Sequence, residues 1–350
     1  MGTTARVPSL MALVYPAAMA VTALRFDLRA PAFSPASSRD LCAAALDMAA
    51  WADENGFDSV VTSEHHADQD GYMPSPVTMM AGFAARTQRI PIVASALLLP
   101  LYDPVKLSED LCLLDLISDG RCRTTVGIGY RQDEYAMFGQ DWAQRGKRMD
   151  ECLEVLCKAW TGEPFDWNGR RVHMTTRPVT GPKPPIFVGG TLKVGARRAA
   201  RFGLPFQSSV NKQEVLDEYL SECARLGVED PEVMSPGSGE TIFCSSDPDR
   251  SWSQIGKYLL HDAMVYASWQ LPGQESVVYS GAGSVEELRA GGKFRILTPE
   301  ELIERAAERG PYADTHMHPL CGGTPPEFAW ESLELYVAKV LPHVERPAAT

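Results

Sequence analysis

The segment Gly56-Phe57-Asp58-Ser59-Val60-Val61-Thr62-Ser63-Glu64-His65-His66 decides how this chain folds. Its apolar run at 59–63 reads as a short strand, entered from an Ala-rich helix over 41–55 and left through an acid and two histidines. In a (β/α) barrel the carboxyl ends of the strands line the reaction site, and paired histidines at such an end suit that position. Adjacent side chains on extended backbone point to opposite sides, so at most one of the pair faces a cavity and the other is structural.

On both sides of this segment, strand-like and helix-like runs alternate. Residues 24–29 (Leu, Arg, Phe, Asp, Leu, Arg) alternate with period two and end at Ala30-Pro31. Helices are predicted over 76–87 and 104–118, with strands over 91–99 and 123–129, the last entered through Asp119-Gly120. The second half is less regular. It contains helices over 145–161, 194–202, 213–226, 252–269, 299–309 and 326–340, and strands over 185–188 and 240–244. Trp167-Asn168-Gly169-Arg170 has the composition of a hairpin turn. About eight strands alternating with helices predict α/β class, a single (β/α)8 TIM-type barrel over 24–343. The stretch 268–293 fits neither element and is expected to be an insertion at the carboxyl-terminal face, over the barrel mouth.

The 350 residues carry a net charge of -12 with 45% hydrophobic side chains, a composition suited to one sizeable core. That charge argues against nucleic acid or an anionic membrane as partner, and no stretch past the amino terminus is apolar enough to span a bilayer. None of the eight cysteines forms a C-x-x-C pair, which suits reduced thiols in a cytoplasmic protein. The apolar run at 10–21 is weakly like a secretion signal, but Pro16 breaks it and one arginine precedes it. Residues 1–23 are expected to be a non-structural or mis-started extension, and 344–350 a tail.

Several residues could carry chemistry. His65 suits a general acid/base role or a packed structural one. Asp68 and Asp70 lie near it, but the spacing matches no zinc pattern, and His316 and His318 form only a lone H-x-H, so no metal is expected. Gly189-Gly190-Thr191, between a strand and a helix, can converge backbone N–H groups on a phosphate; equally, Thr191 could be a plain helix cap. Gly127-Ile128-Gly129 and Ser95-Ala96 offer small side chains against which a flat ring, or another element, could pack. Arg145 and Arg148 could reach a phosphate or face solvent.

These segments together resemble the bacterial luciferase-like flavin-dependent monooxygenases. The resemblance runs through Glu64-His65-His66, Ser95-Ala96-Leu97-Leu98-Leu99-Pro100, Leu113-Leu114-Asp115-Leu116-Ile117-Ser118-Asp119-Gly120-Arg121, Gln144-Arg145-Gly146-Lys147-Arg148 and Pro184-Pro185-Ile186-Phe187-Val188-Gly189-Gly190. It covers roughly residues 24–342. It implies a TIM-type barrel that binds reduced FMN at its carboxyl face and oxygenates a small organic substrate through a flavin hydroperoxide. By the same resemblance His65 is the catalytic histidine, and Ser95-Ala96 is a cis peptide against the flavin ring. Gly190, Thr191 and Arg145 hold the phosphate. Gly127 stands where luciferase has a reactive cysteine, so light emission is not implied. Oxygen, a separate NAD(P)H flavin reductase and a homodimeric state complete the expectation. The alternatives are hydride transfer with a deazaflavin coenzyme, and a flavin-binding barrel without catalysis.

Overall fold

A computed structural model describes residues 21–344, apart from 211, 235–238, 271–278 and 311–313. The first half runs β1 (Val21–Phe26), α1 (Ser38–Glu54), β2 (Ser59–Thr62), α2 (Pro76–Arg86), β3 (Ile92–Leu98), α3 (Pro104–Ser118), β4 (Cys122–Gly127), α4 (Gln132–Met137) and α5 (Arg145–Thr161). A hairpin of β5 (Phe165–Trp167) and β6 (Arg170–Val172) follows, then β7 (Ile186–Gly190), α6 (Lys193–Arg201), β8 (Phe206–Ser208), α7 (Gln213–Leu226) and β9 (Val233–Met234). The chain ends with β10 (Thr241–Cys244), α8 (Pro248–Ser268), α9 (Val285–Gly291), β11 (Phe294–Leu297), α10 (Pro299–Arg309), β12 (Asp314–Met317) and α11 (Pro326–Lys339).

Local chemistry sets the element ends. Ser37 and Asp40 form a reciprocal capping box on α1. Asp103 accepts from Val105 N and Lys106 N, and Pro104 opens α3 at a position where its missing N–H costs nothing. That helix stops where Asp119 and Gly120 take positive φ (52° and 76°). A Cβ at Gly120 would sit 2.7 Å from Thr180 Cγ2, so this position needs glycine for space as well as for φ.

Among the described residues ten strands, all paired in parallel, form one sheet in the order β11-β10-β12-β1-β2-β3-β4-β7-β8-β9. The last strand, β12, lies beside the first, with Leu24 opposite Met317, so the sheet turns back on itself in the TIM-type barrel architecture. Among the described residues no ladder joins the β9 and β11 ends. The helices cover the outside. Leu24 and Phe26 of β1 belong to the main core, where the Phe26 ring lies 5.6 Å from that of Phe83 on α2. Arg25 lies on the opposite face and lines the interior cavity, and Asp27 and Arg29, just past the end of the strand, are fully buried. On most exposed sheets the charged face of an alternating strand meets water, whereas here it meets the cavity.

The structure departs from the sequence-based expectation in two places. β1 begins at Val21, three residues before the predicted strand, and the rest of the expected extension lies outside the described residues. The region 268–293 is only partly an irregular insertion. Residues 271–278 lie outside the description, but α9 follows them, capped by Ser284. Its Leu288, fully buried, packs with Trp252, Phe294 and Ile296 in a second core cluster. Burying one such side chain stabilises by roughly 1.5–3 kcal/mol, enough to order a seven-residue helix against α8. Residues 345–350 of the expected tail also lie outside the description.

Candidate active site

A cavity of 380 Å³ opens at the carboxyl ends of the strands. His65, Ser95, Ala96, Gly127, Gly190 and Thr191 all line it. They come from β2, β3, β4 and β7 and the loops that follow, elements the sheet order makes neighbours.

Of the two histidines only His65 lines the cavity. Glu134, fully buried on α4, accepts from His65 Nδ1 (2.8 Å) and from the backbone N–H of His66 (3.0 Å). A carboxylate can only accept, so the proton sits on Nδ1 and the Nε2 lone pair faces Tyr130, whose hydroxyl lies 3.1 Å away. Burial pushes the His65 pKa below its ordinary value, while the Glu134 hydrogen bond opposes that shift. The ring is therefore neutral at pH 7. His66 instead donates Nε2 to Glu64 (2.7 Å). Glu64 also accepts from Tyr102 and from Leu98 N (2.6 Å), which fixes β3 just past the irregularity in its pairing with β4.

That irregularity falls at Ser95-Ala96, which is cis, as the resemblance implied. Gln207 of β8 accepts from Thr125 and donates to Ser95 Oγ (3.4 Å), so the peptide is braced from the neighbouring strands. A Cβ at Gly127 would come 3.2 Å from the Ala96 Cβ. Glycine is thus needed here so that β4 can lie flat beside that peptide. Gly190 has a similar reason: its Cβ would meet Gly195 Cα at 3.3 Å and the Phe206 ring at 3.5 Å. The two glycines bring the amino end of α6 down onto the end of β7.

Thr191 is not the helix cap. Leu192 occupies that position and makes no side-chain cap to the first turn of α6. Uncapped N–H groups beside a hydroxyl and two glycines form the kind of cradle a phosphate fills. Arg145 is elsewhere. Its guanidinium folds back 4.0 Å over the Trp142 ring and donates Nη1 to Trp142 O (2.9 Å), and it does not line the cavity. Trp142, three residues before it, offers that stacking surface next to the start of α5, which the sequence reading did not take into account.

The remaining walls hold residues the sequence reading did not single out. Tyr72 and Tyr266 share a hydrogen bond (2.8 Å) beside Ser63, and both rings stand edge-on to His65, as does Tyr130. The Trp269 ring is 4.6 Å from that of His65. Behind this aromatic wall Arg29, with no solvent exposure, donates to Asp262 (2.9 Å), Asp68 (2.7 Å) and Asp70 (2.7 Å). Burial alone would lower the Arg29 pKa; Asp262 and Asp27 outweigh it and hold the guanidinium charged. Asp262, His318 and Cys321 offer ligand atoms within 4.8 Å of one another. Asp262 is committed to Arg29, and burial pushes the Cys321 thiol well up, so protons suit this group better than a cation.

A parallel barrel with a glycine turn, a braced peptide and a histidine of fixed tautomer around one cavity at its carboxyl mouth has the layout of an oxidoreductase site. The chain belongs to the luciferase-like monooxygenase family, whose sequence profile matches residues 25–333. It is similar to the monooxygenase RslO1 from Streptomyces bottropensis (TM-score 0.70, 25% identity, 93% of this chain and 100% of that one). The oxygenase component of a flavin-dependent trigonelline monooxygenase from Acinetobacter baylyi is 24% identical over 54% of this chain and 56% of its own length. An F420-dependent glucose-6-phosphate dehydrogenase from Microbacterium testaceum is 24% identical over 86% of this chain and 93% of its own. The chain spans about half the length of the first curated relatives it matches. No helix among the described residues is long and apolar enough to cross a membrane.

Proposed function

We propose that the protein is the oxygenase of a two-component system, using reduced FMN and oxygen to oxygenate a small organic substrate. One observation carries this reading: a neutral, tautomer-fixed His65 shares a cavity with the cis Ser95-Ala96 peptide and the uncapped turn at Gly190 and Thr191. In this assignment Ser95, Ala96 and Gly127 support the flat ring, and Gly190 and Thr191 receive the phosphate. Reduced FMN supplies the electrons that activate oxygen. His65 presents its Nε2 lone pair to the cavity and holds or moves a proton there, through Tyr130 or directly. Tyr72, Tyr266 and Trp269 screen that point from water.

A separate NAD(P)H flavin reductase would deliver the reduced cofactor; the relative that is itself an oxygenase component supports that partner. A homodimer in the cytoplasm completes the proposal, supported by the exposed apolar side chains Leu113, Leu116 and Ile117 of α3. Hydride transfer with a deazaflavin coenzyme is the second reading, favoured by similarity to an F420-dependent dehydrogenase along most of the chain.

Anaerobic titration with reduced FMN and with reduced deazaflavin, followed by admission of oxygen, separates these readings. The oxygenase reading expects tight reduced-FMN binding and a slowed reoxidation. His65→Ala should still bind reduced FMN, yet oxygenate roughly 10²-fold or more slowly. Preference for the deazaflavin, with no slowed phase, would refute the oxygenase reading.

A further inference from the structure

The cofactor assignment uses only part of the cavity. It occupies the β3, β4 and β7 side, whereas β1 lies beyond β2, about 10 Å from β3 at ordinary strand spacing. Into that second lobe β1 projects Arg25. Among the described residues it is the one arginine or lysine on the cavity wall.

Arg25 is held but not neutralised. Its Nη2 donates to Tyr266 (2.7 Å) and more weakly to Tyr72 (3.4 Å). Burial drives the Tyr266 phenol far above its ordinary pKa, so it is a neutral partner. Among the described residues neither Nε nor Nη1 has an acceptor, and no carboxylate comes within the 4.0 Å of an ion pair. The two acids on the cavity wall are committed elsewhere: Glu64 to His66, Leu98 N and Tyr102, and Glu240 to Arg295 and Arg305. Asp27 and Asp262 are drawn to Arg29, Asp27 at 3.7 Å and Asp262 at 2.9 Å. His316, on the neighbouring strand, is pushed down by burial and adds no charge. A guanidinium facing a cavity with Nε and Nη1 free and no carboxylate at ion-pair distance is a site for an anion; Nη2, the nitrogen every two-pronged pairing needs, already serves the two tyrosines, so the contact is a single charge-assisted hydrogen bond to one carboxylate oxygen.

We propose that Arg25 anchors a carboxylate of the substrate, so that the oxygenated compound is a planar organic acid lying against the wall formed by Tyr72, Tyr266 and His65. This deepens the oxygenase reading and rests on it for the division of the cavity into two lobes. The phosphate of the cofactor is the other anion that could occupy Arg25, and the test separates the two.

Calorimetric titration of the intact chain would compare benzoate with benzamide and 2-naphthoate with 2-naphthamide, in the wild type, Arg25→Gln and Arg25→Lys. Reduced FMN and reduced riboflavin would be titrated into the same proteins. In the wild type a carboxylate should bind at least about tenfold tighter than its amide, a preference lost in Arg25→Gln and largely kept in Arg25→Lys. Reduced FMN should bind all three alike. If Arg25→Gln does not fold, Tyr266→Phe should weaken the carboxylate preference by freeing the guanidinium to swing. Equal affinity for acid and amide in the wild type would overturn the proposal. So would a loss of reduced-FMN but not riboflavin affinity in Arg25→Gln, which would make Arg25 the phosphate site. Carboxylate preference without flavin binding would leave Arg25 as an acid site and refute only the oxygenase reading.

Discussion

Glu134→Gln is the substitution that tests most directly how the site works. Glu134 is fully buried and its Oε1 serves three groups: His65 Nδ1 (2.8 Å), His66 N (3.0 Å) and, at 3.6 Å, the Arg131 guanidinium. Glutamine has the same shape but no charge, and its amide can turn either an acceptor or a donor toward the imidazole. In the second orientation the tautomer reverses: Nδ1 accepts, the proton moves to Nε2, and the lone pair facing Tyr130 is lost. A hydrogen bond to a charged group contributes roughly 1.5–3 kcal/mol. Its loss converts to about a 10- to 10²-fold fall in the fraction of protein with a productive His65. The oxygenation rate should fall by that factor, with reduced-FMN affinity unchanged.

The pH dependence gives a second readout. Neutral His65 is the working form, so the wild-type rate should decline as pH falls through a value below 6.5, the ordinary histidine value. Burial sets that position and Glu134 opposes it, so removing the carboxylate should move the acid limb to lower pH, not higher. Long-range ¹H–¹⁵N correlation spectra of the imidazole report the tautomer directly and need no substrate. A His65 ring that keeps its Nδ1 proton in Glu134→Gln, with an unchanged acid limb, would refute this account of the site.

Two further substitutions test the placement of individual residues. Arg145→Ala should change reduced-FMN affinity by no more than about twofold, because its guanidinium is spent on Trp142; a tenfold loss in fluorescence titration would return it to the phosphate site. Asp53→Asn should destabilise the fold by about 1–3 kcal/mol in thermal or urea unfolding, since Asp53 accepts from Gln88 N, Arg89 N and Ile90 N and an amide NH₂ would face one of these donors. Burial alone would raise the Asp53 pKa, but those N–H groups hold it below 3.8. The contribution should therefore be full at neutral pH, shrink as pH falls through the folded-state value, and leave the two proteins alike in strong acid; a constant difference at every pH would contradict it.

The first half of the barrel was legible because its strands and helices are punctuated. Pro76, Pro104 and Gly120 mark helix ends, and the apolar runs at 59–63 and 91–99 have the length of buried parallel strands. β8, β9 and β11 are two to four residues long, too short to show a period, and owe their pairing to neighbours distant in sequence. The cavity residues Ser95, Ala96, Gly127, Gly190 and Thr191 were accessible because they lie in local motifs. Glu134 was not: it sits on a six-residue helix after β4, and only the folded chain brings it 69 positions back to His65. Arg25 was visible as the polar half of an alternating strand. Which half faces inward depends on what the helices cover, and that is settled by Phe26 against Phe83 on α2. Arg145 shows the converse case, a local motif whose side chain lies on a near neighbour, Trp142, and not on the cavity wall.

The charges just past the end of β1 also explain how the aromatic wall is held. A barrel that keeps a cavity at its carboxyl end cannot fix the cavity wall by filling it with apolar side chains. Here Arg29 takes that part, reaching Asp262 on α8 and Asp68 and Asp70 in the loop after β2, while its guanidinium lies 4.6 Å from the centre of the Tyr72 ring and 4.8 Å from that of Trp269. His261 closes the group by bonding Asp70 (2.9 Å). Burying such a cluster contributes little net stability, because desolvation offsets much of the attraction. What it contributes is position. Removing Arg29 would strand buried carboxylates at a cost of about 3–5 kcal/mol, so the loop, α8 and the chain just past β1 are held in one arrangement. That arrangement places the Tyr72 and Tyr266 hydroxyls 2.8 Å apart, with Arg25 on one side and the His65 ring on the other. The charges that follow β1 thus keep open, and in register, the lobe that the substrate would enter.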